Sequence, residues 1–412
     1  MRMRTFDENL DLYARLAVRV GINLQEGQRL GISAPLQAAE YVRRLVREGY
    51  AAGAYDVHID WHDDQIGLAR FLMAPDAALT DIPHWLVEKA ETLMEQRAAH
   101  ISVYAPTPDL YKDVDPQRLT KATRARQEAM KKVMAAAMST KSAWLVISPA
   151  TEEWARELYR DEEPQAALAH LWEEIFRLCR LDREDPIAAW REHIDYLSRR
   201  AEFLNRRAFR RLHYKAPGTD LVIDLPQGHI WCSAEETDEM GVRCFVNLPS
   251  EEIYTLPSRT GVNGTVRATL PLNYEGVTVE NIRLELRDGE IVNYTADSGI
   301  EALRSVIETD EGSRRLGEVA LVSQDSPIAQ SGRLYYNTLF DENAACHLAI
   351  GQAYPTCLQG GRELSEEGLL VAGANRSLVH VDFMIGSDEL EVTAEADDGG
   401  MVPILRKGRW AF

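Results

Sequence analysis

Residues 29–61 read RLGISAPLQAAEYVRRLVREGYAAGAYDVHIDW, and the parsing of this stretch decides the fold of the amino-terminal half. Arg29–Ala34 suits a short buried strand that follows Glu26-Gly27. Residues 36–48 carry apolar side chains at helical spacing, and Gly49 closes that helix in the manner of a C-cap. Ala54–Trp61 alternates as a strand does. Together the three predict one strand–helix–strand unit.

Working outward, the same texture continues on both sides. Upstream, residues 8–20 (ENLDLYARLAVRV) put Leu10, Tyr13, Leu16 and Ala17 at helical spacing. Downstream, a helix from about Pro83 to Arg97 leads into a strand at His100–Ala105. Another from about Pro116 to Met138 leads into a strand at Ala143–Ser148. Strands alternating with helices predict an α/β domain around a mainly parallel sheet covered on both faces. Residues 151–211 are helix-rich and charged. Near His213 the texture changes to short alternating strands: Asp220–Leu225, Gly228–Ser233, Gly264–Leu270, Val277–Leu286 and Glu290–Thr295. Asp288-Gly289 between the last two is a hairpin turn signal. One long helix is expected around Asp341–Gly351. The reading is therefore two domains, an α/β domain over residues 1–205 and an α+β domain with a mostly antiparallel sheet over residues 206–412.

Length and composition agree with that division. The 412 residues exceed the ~250–300 at which single cores stop growing. A formal net charge of -19, from 65 acidic and 46 basic residues, repels phosphate backbones and argues against a nucleic-acid partner. It suits cationic ligands, among them a free peptide amino terminus. The five cysteines are scattered without a CxxC, which argues against a disulfide framework or a thiolate zinc site and for a reducing compartment. No apolar leader follows Met1-Arg-Met-Arg, and no run approaches ~18 apolar residues. The expectation is a cytoplasmic protein with no membrane partner.

Chemistry concentrates in the second half. Asp341-Glu-Asn-Ala-Ala-Cys-His347-Leu-Ala-Ile-Gly351-Gln-Ala-Tyr354 puts His347, Gly351 and Tyr354 on one face if the segment is helical. The small residue leaves room for an ion or substrate. In His380-Val-Asp382-Phe-Met-Ile-Gly386, an imidazole and a carboxylate share one face of a strand. Asn247–Pro257 is a proline-bracketed segment with adjacent acids, Glu251 and Glu252. Leu316–Val322 places Glu318 at the head of an apolar strand, where an unpaired charge is costly. Any one of these alone reads as a satisfied structural residue. Together, three carboxylates and two histidines are enough for two divalent ions sharing a bridging ligand, with zinc, cobalt or manganese suited to such donors. His58, Asp60 and His62 alternate on another strand, but no distant carboxylate segment partners them. Gly27-Gln-Arg-Leu-Gly31 is neither a GxGxxG nor a Walker loop, so a nucleotide site lacks its anchor.

Four separated strings in order, NLPSEEIYTLP (247–257), GEVALVSQDSPI (317–328), TLFDENAACHLAIGQAY (338–354) and NRSLVHVDFMIG (375–386), resemble the thermophilic metallo-aminopeptidases of peptidase family M29, with GVNGTV (261–266) in support. The resemblance is clearest from about residue 215 to 395. Tyr254 departs from it, standing where the family more often has Phe. The resemblance implies that Glu252, Glu318, His347, His380 and Asp382 ligate two divalent ions; metal identity does not transfer with it, and from the donor set zinc or cobalt are expected first, manganese or magnesium next. It implies that Tyr354 lies in the site, and that the protein forms homodimers and removes amino-terminal residues from peptides. Glu251, beside a ligand but not one itself, is the candidate general base. Tyr354 is the candidate hydrogen-bond donor to the tetrahedral oxyanion. The rival readings are a two-metal hydrolase of another amide or ester, and a silent relative that only binds peptides.

Overall fold

The computed structural model describes residues 4–274 and 276–412, and the chain divides into two compact units. One contains the residues up to Val114 with Lys132–Tyr196 and Ala234–Ser250. The other contains Asp115–Lys131, Leu197–Ser233 and Glu251–Phe412.

In the first unit five parallel strands lie in the order Asn247–Leu248, Trp144–Ile147, Ala99–Val103, Arg29–Pro35 and Asp56–His62. This is the expected α/β architecture. Arg29–Pro35 is an inner strand, with Leu30, Ile32 and Ala34 fully buried. The helix Ala39–Ala51 buries one face, Tyr41, Val42, Leu45 and Gly49. It starts later than its periodicity predicts, after a 3-10 turn at Leu36–Ala38, and runs through Gly49 instead of ending there. A Cβ on Gly49 would stand 3.1 Å from the Leu30 side chain, so the glycine serves close packing of helix on strand. The left-handed residue beyond the helix is Gly53, at φ 97. The helices Asp64–Met73 and Asp76–Thr80 have no counterpart in the sequence reading.

The second unit is dominated by antiparallel sheet, as expected. An eight-stranded sheet runs in the order Glu290–Thr295, Arg283–Arg287, Val262–Arg267, Thr219–Asp224, Arg211–Ala216, Glu391–Glu395, Met401–Arg406, Arg409–Trp410. Asp288 and Gly289 close its first hairpin with φ 50 and 79, the positive pair that a two-residue type I′ turn requires. The expected strand Val277–Leu286 is two strands, Val277–Val279 and Arg283–Arg287, separated where Asn281 takes φ 53.

A second sheet, of five strands, runs His380–Met384, His347–Gly351, Leu316–Val322, Glu252–Thr255, Cys232–Ser233, every pair antiparallel. Its middle strands are buried along their whole length. The expected long helix at Asp341–Gly351 is overturned here. The segment holds the end of a short helix (Thr338–Asp341), a 3-10 turn (Glu342–Ala344) and the strand His347–Gly351. A short apolar run such as HLAIG carries no periodicity that separates buried strand from buried helix, and inter-strand pairing on both sides decides in favour of strand.

Candidate metal centre

Register across this second sheet builds a site from its backbone. Ala349 stands opposite Glu318 on one side and Asp382 on the other. His347 stands opposite Ala320 and Met384, and Tyr254 opposite Ala320. Residues directly opposite share a face, and so do residues two apart along a strand. Glu252, Tyr254, Glu318, His347, His380 and Asp382 therefore all project from one face, over a floor made by Ala320 and Ala349. The small residues that leave room are these alanines. Gly351 has a backbone reason instead: it sits at φ 104, where a Cβ would stand 2.2 Å from the Val379 carbonyl oxygen.

The side chains converge. His347 Nε2 lies 3.0 Å from Glu252 Oε2 and 3.4 Å from Glu318 Oε1. His380 Nε2 lies 3.6 Å from Glu318 Oε2 and 3.5 Å from Asp382 Oδ1. Two triads result, Glu252–Glu318–His347 and Glu318–His380–Asp382, each with its donor atoms within 4.8 Å of one another. Glu318 belongs to both and turns one oxygen toward each imidazole. Glu252, Glu318 and His347 are buried, while His380 and Asp382 are partly open.

Three observations fit divalent metal. First, the ring nitrogens away from the cluster are engaged: His347 Nδ1 lies 2.9 Å from the Glu342 carbonyl oxygen and 3.1 Å from that of Ala345, and His380 Nδ1 lies 2.7 Å from the Gln352 carbonyl oxygen. Each Nδ1 must donate, which leaves Nε2 as the atom facing the carboxylates and sets the metal-binding tautomer. Second, Glu252 Oε2 and Asp382 Oδ1 are buried without a hydrogen bond, although an imidazole stands at ion-pair distance from each. A cation, with little directional demand, satisfies both. Third, charge is unbalanced. Burial, then the charges of Asp382 and Glu252, push the carboxyl of Glu342 far up, so this acid faces the same cluster. Burial likewise pushes Glu318 up to about 7, against the pull of His347 and His380.

Metal-free, the cluster recruits protons to do a cation's work. Burial alone would lower His380, but the charge of Asp382, with that of Glu318, holds it at about 9. His347 is raised in the same way, burial being outweighed by Glu252 and Glu318. Asp382, despite burial, is lowered by His380. Divalent ions replace such protons where nitrogen and oxygen donors converge.

Tyr354 flanks the second triad, its ring edge-on to His380 at 4.9 Å and 5.7 Å from Tyr254. Burial and the carboxylates Glu318 and Asp382 hold its phenol well above the usual range, so it keeps its proton. Glu251 is buried and its backbone N–H donates to Asn343 Oδ1 at 2.6 Å, but it belongs to neither triad. Asn343 also donates to the Leu339 carbonyl, and Asp341 accepts the N–H groups of Tyr335 and Asn337 at 2.8 and 3.0 Å. These bonds fix the turn that delivers Glu342 and His347. Sequence reasoning missed Glu342 and Asn343: in a helix, five residues rotate Glu342 about 140° from His347. In the first unit, His58 is paired with Asp56 at 3.3 Å and Asp60 with Lys89.

The sequence pattern of the thermophilic metalloprotease family (M29) matches residues 6–410. The chain is 46% identical to Aminopeptidase 2 of Geobacillus stearothermophilus, over 100% of this chain and 99% of that protein. It is 42% identical to Aminopeptidase AmpS of Bacillus subtilis, over the full length of both. Among solved structures, wild-type AmpT from Thermus thermophilus superposes with a TM-score of 0.90 at 39% identity, covering 99% of this chain and 100% of that one.

Proposed function

The chain belongs to the thermophilic metalloprotease family M29, and from that premise we propose that it is an aminopeptidase whose Glu252, Glu318, His347, His380 and Asp382 hold two divalent ions. The observation that carries the reading is Glu318, one carboxylate shared between two triads that meet nowhere else. The carboxyl of Glu342, pushed far up by burial and by the charges of Asp382 and Glu252, stands near the same cluster. When bound, a pair of ions lowers the pKa of a water toward ~7 and polarises a scissile carbonyl.

The chain's own residues supply the rest. The converging carboxyls of Glu252, Glu318, Glu342 and Asp382 also suit a cationic amine, and holding that amine confines cleavage to the first residue of a peptide. Glu251 takes the proton of the attacking water and passes it to the leaving amine. Tyr354, protonated and beside His380, donates a hydrogen bond to the tetrahedral oxyanion. A second assignment of the base, to Glu342, is favoured by its place among the cluster charges. Zinc or cobalt are the ions we expect first, since imidazole and carboxylate donors suit both. Among the described residues no helix is long and apolar enough to cross a membrane. We place the enzyme in the cytoplasm, as a homodimer, on the strength of its scattered cysteines and its family.

Incubation with an unblocked decapeptide and its N-acetylated form, each with and without chelation, tests the reading. Residues should be released singly from the unblocked peptide only, and chelation should abolish release until zinc, cobalt or manganese is returned. Internal cleavage of the blocked peptide, or full activity in protein shown metal-free by elemental analysis, defeats it.

A further inference from the structure

The function proposed above leaves the cysteines unused, and two of them lie together. Cys232 Sγ and Cys357 Sγ are 3.8 Å apart, although 125 residues separate them in sequence. The Cys232 thiol also points at the Thr356 carbonyl oxygen, 3.7 Å away. Cys232 is half-buried and Cys357 buried. Cys244 and Cys346 are buried as well, and burial pushes their thiols up to about 12 and 11, which keeps them protonated and slow.

The backbone holds the pair in place. Ile230 N–H donates to the Cys357 carbonyl at 2.7 Å, and Gln359 N–H donates to that of Gly228 at 2.8 Å. His229 and Leu358 form a bridge between the same two segments. Bonding distance for two sulfurs is about 2.05 Å, so closure needs a further approach of roughly 1.8 Å. Side-chain rotation and the 3-10 turn Pro355–Cys357 are available to supply it.

That turn is where the pair meets the site. Cys357 N–H donates to the Tyr354 carbonyl at 3.1 Å, so the cysteine ends the turn that Tyr354 begins. Cys232 stands opposite Tyr254 on the edge strand and shares its face. Tyr254 and Cys357 belong to one buried apolar cluster, with Cys232 and Tyr354 packed against it.

We propose that Cys232 and Cys357 form a reversible disulfide in the presence of peroxide, and that its closure shifts Tyr354 and slows peptide hydrolysis. The more accessible Cys232 sulfur attacks the O–O bond of hydrogen peroxide, giving a sulfenic acid and one water. The Cys357 sulfur then attacks the sulfenic sulfur and expels a second water. Two thiols are oxidised, one peroxide is reduced, and both thiol protons leave in the waters. A dithiol reductant restores the pair by exchange. The effect on turnover rests on the aminopeptidase reading; the cross-link does not.

The test treats the metal-loaded enzyme with a small excess of hydrogen peroxide, alkylates the remaining thiols, and maps peptides by mass spectrometry without reduction. A Cys232–Cys357 cross-linked peptide should appear and vanish with dithiothreitol. Turnover of an unblocked peptide should fall about tenfold, within the ~10²-fold that a 1 Å misplacement can cost, and return on reduction, with metal content unchanged. Cys232→Ser, whose folding is checked by its melting curve, should form no cross-link and keep its turnover under the same dose; Cys232→Ala serves if the serine variant melts early. Cys232 carried to sulfinic acid without a cross-link overturns the proposal. So does a cross-link that leaves turnover unchanged, or equal loss of turnover in the Cys232 variants. If the untreated enzyme hydrolyses no peptide, the aminopeptidase reading falls, while the cross-link result still decides whether the disulfide forms.

Discussion

Glu251 and Glu252 sit side by side, and the strand that begins at Glu252 separates their tasks. Glu252 faces His347 at 3.0 Å and lies in a triad, whereas Glu251 is anchored through its own backbone N–H to Asn343. As a ligand, Glu252 supplies charge, so Glu252→Gln should lower the metal-to-protein ratio measured by elemental analysis. Glu251→Gln should keep the metal and bind substrate with near-normal KM, while kcat falls about 10²–10⁴-fold, the usual cost of losing a general base. Normal turnover in Glu251→Gln moves the base to Glu342, and Glu342→Gln then becomes the decisive variant. Loss of metal from Glu251→Gln instead reverses the roles of the two neighbours.

At the scale of the element, the site is a row of positions on antiparallel strands. Ala349, between Glu318 and Asp382, carries its floor. Ala349→Leu should fill the space the ions need and cut metal content sharply, with a folding cost of only about 1–3 kcal/mol for overpacking. Far-ultraviolet circular dichroism and elemental analysis on one sample separate the two effects; wild-type metal content in a folded Ala349→Leu protein removes Ala349 from the site. The sequence was most readable where pattern and structure have the same period. The strands Arg29–Pro35 and Asp56–His62 were legible as Arg29–Ala34 and Ala54–Trp61, and Asp288-Gly289 from turn chemistry alone. His380 and Asp382 were correctly placed on one strand face by their spacing of two. His347 was misplaced onto a helix because HLAIG is apolar throughout, and Glu342 was lost with it. The helix Asp64–Met73 buries no residue, so it had no apolar stripe to announce it.

At the scale of the whole molecule, the buried charges tie stability to metal and to pH. In the metal-free protein His380 titrates at about 9, above the ordinary imidazole value, so its stabilisation is complete below pH ~6.5 and is lost as pH rises through 9. Glu318, raised to about 7, also favours the folded state in its protonated form, an advantage that fades as pH rises from 4.5 to 7. Metal binding has the opposite sign, because ligands give up protons and affinity grows with pH. The gap in Tm between metal-loaded and chelated protein should therefore widen steadily from about pH 5 to about pH 9; a constant gap in differential scanning fluorimetry rules out proton–metal exchange at this cluster. The shared register of the site strands has a consequence for heat. The span between the two triads is inherited from the ~4.8 Å spacing of neighbouring strands. Warming loosens loops first, but a strand ladder keeps its spacing until it comes apart as a unit. Catalysis should climb along an unbroken Arrhenius line to the edge of the melting transition and vanish with it; a decline in rate that begins well below that transition means the span is held by something softer than the ladder.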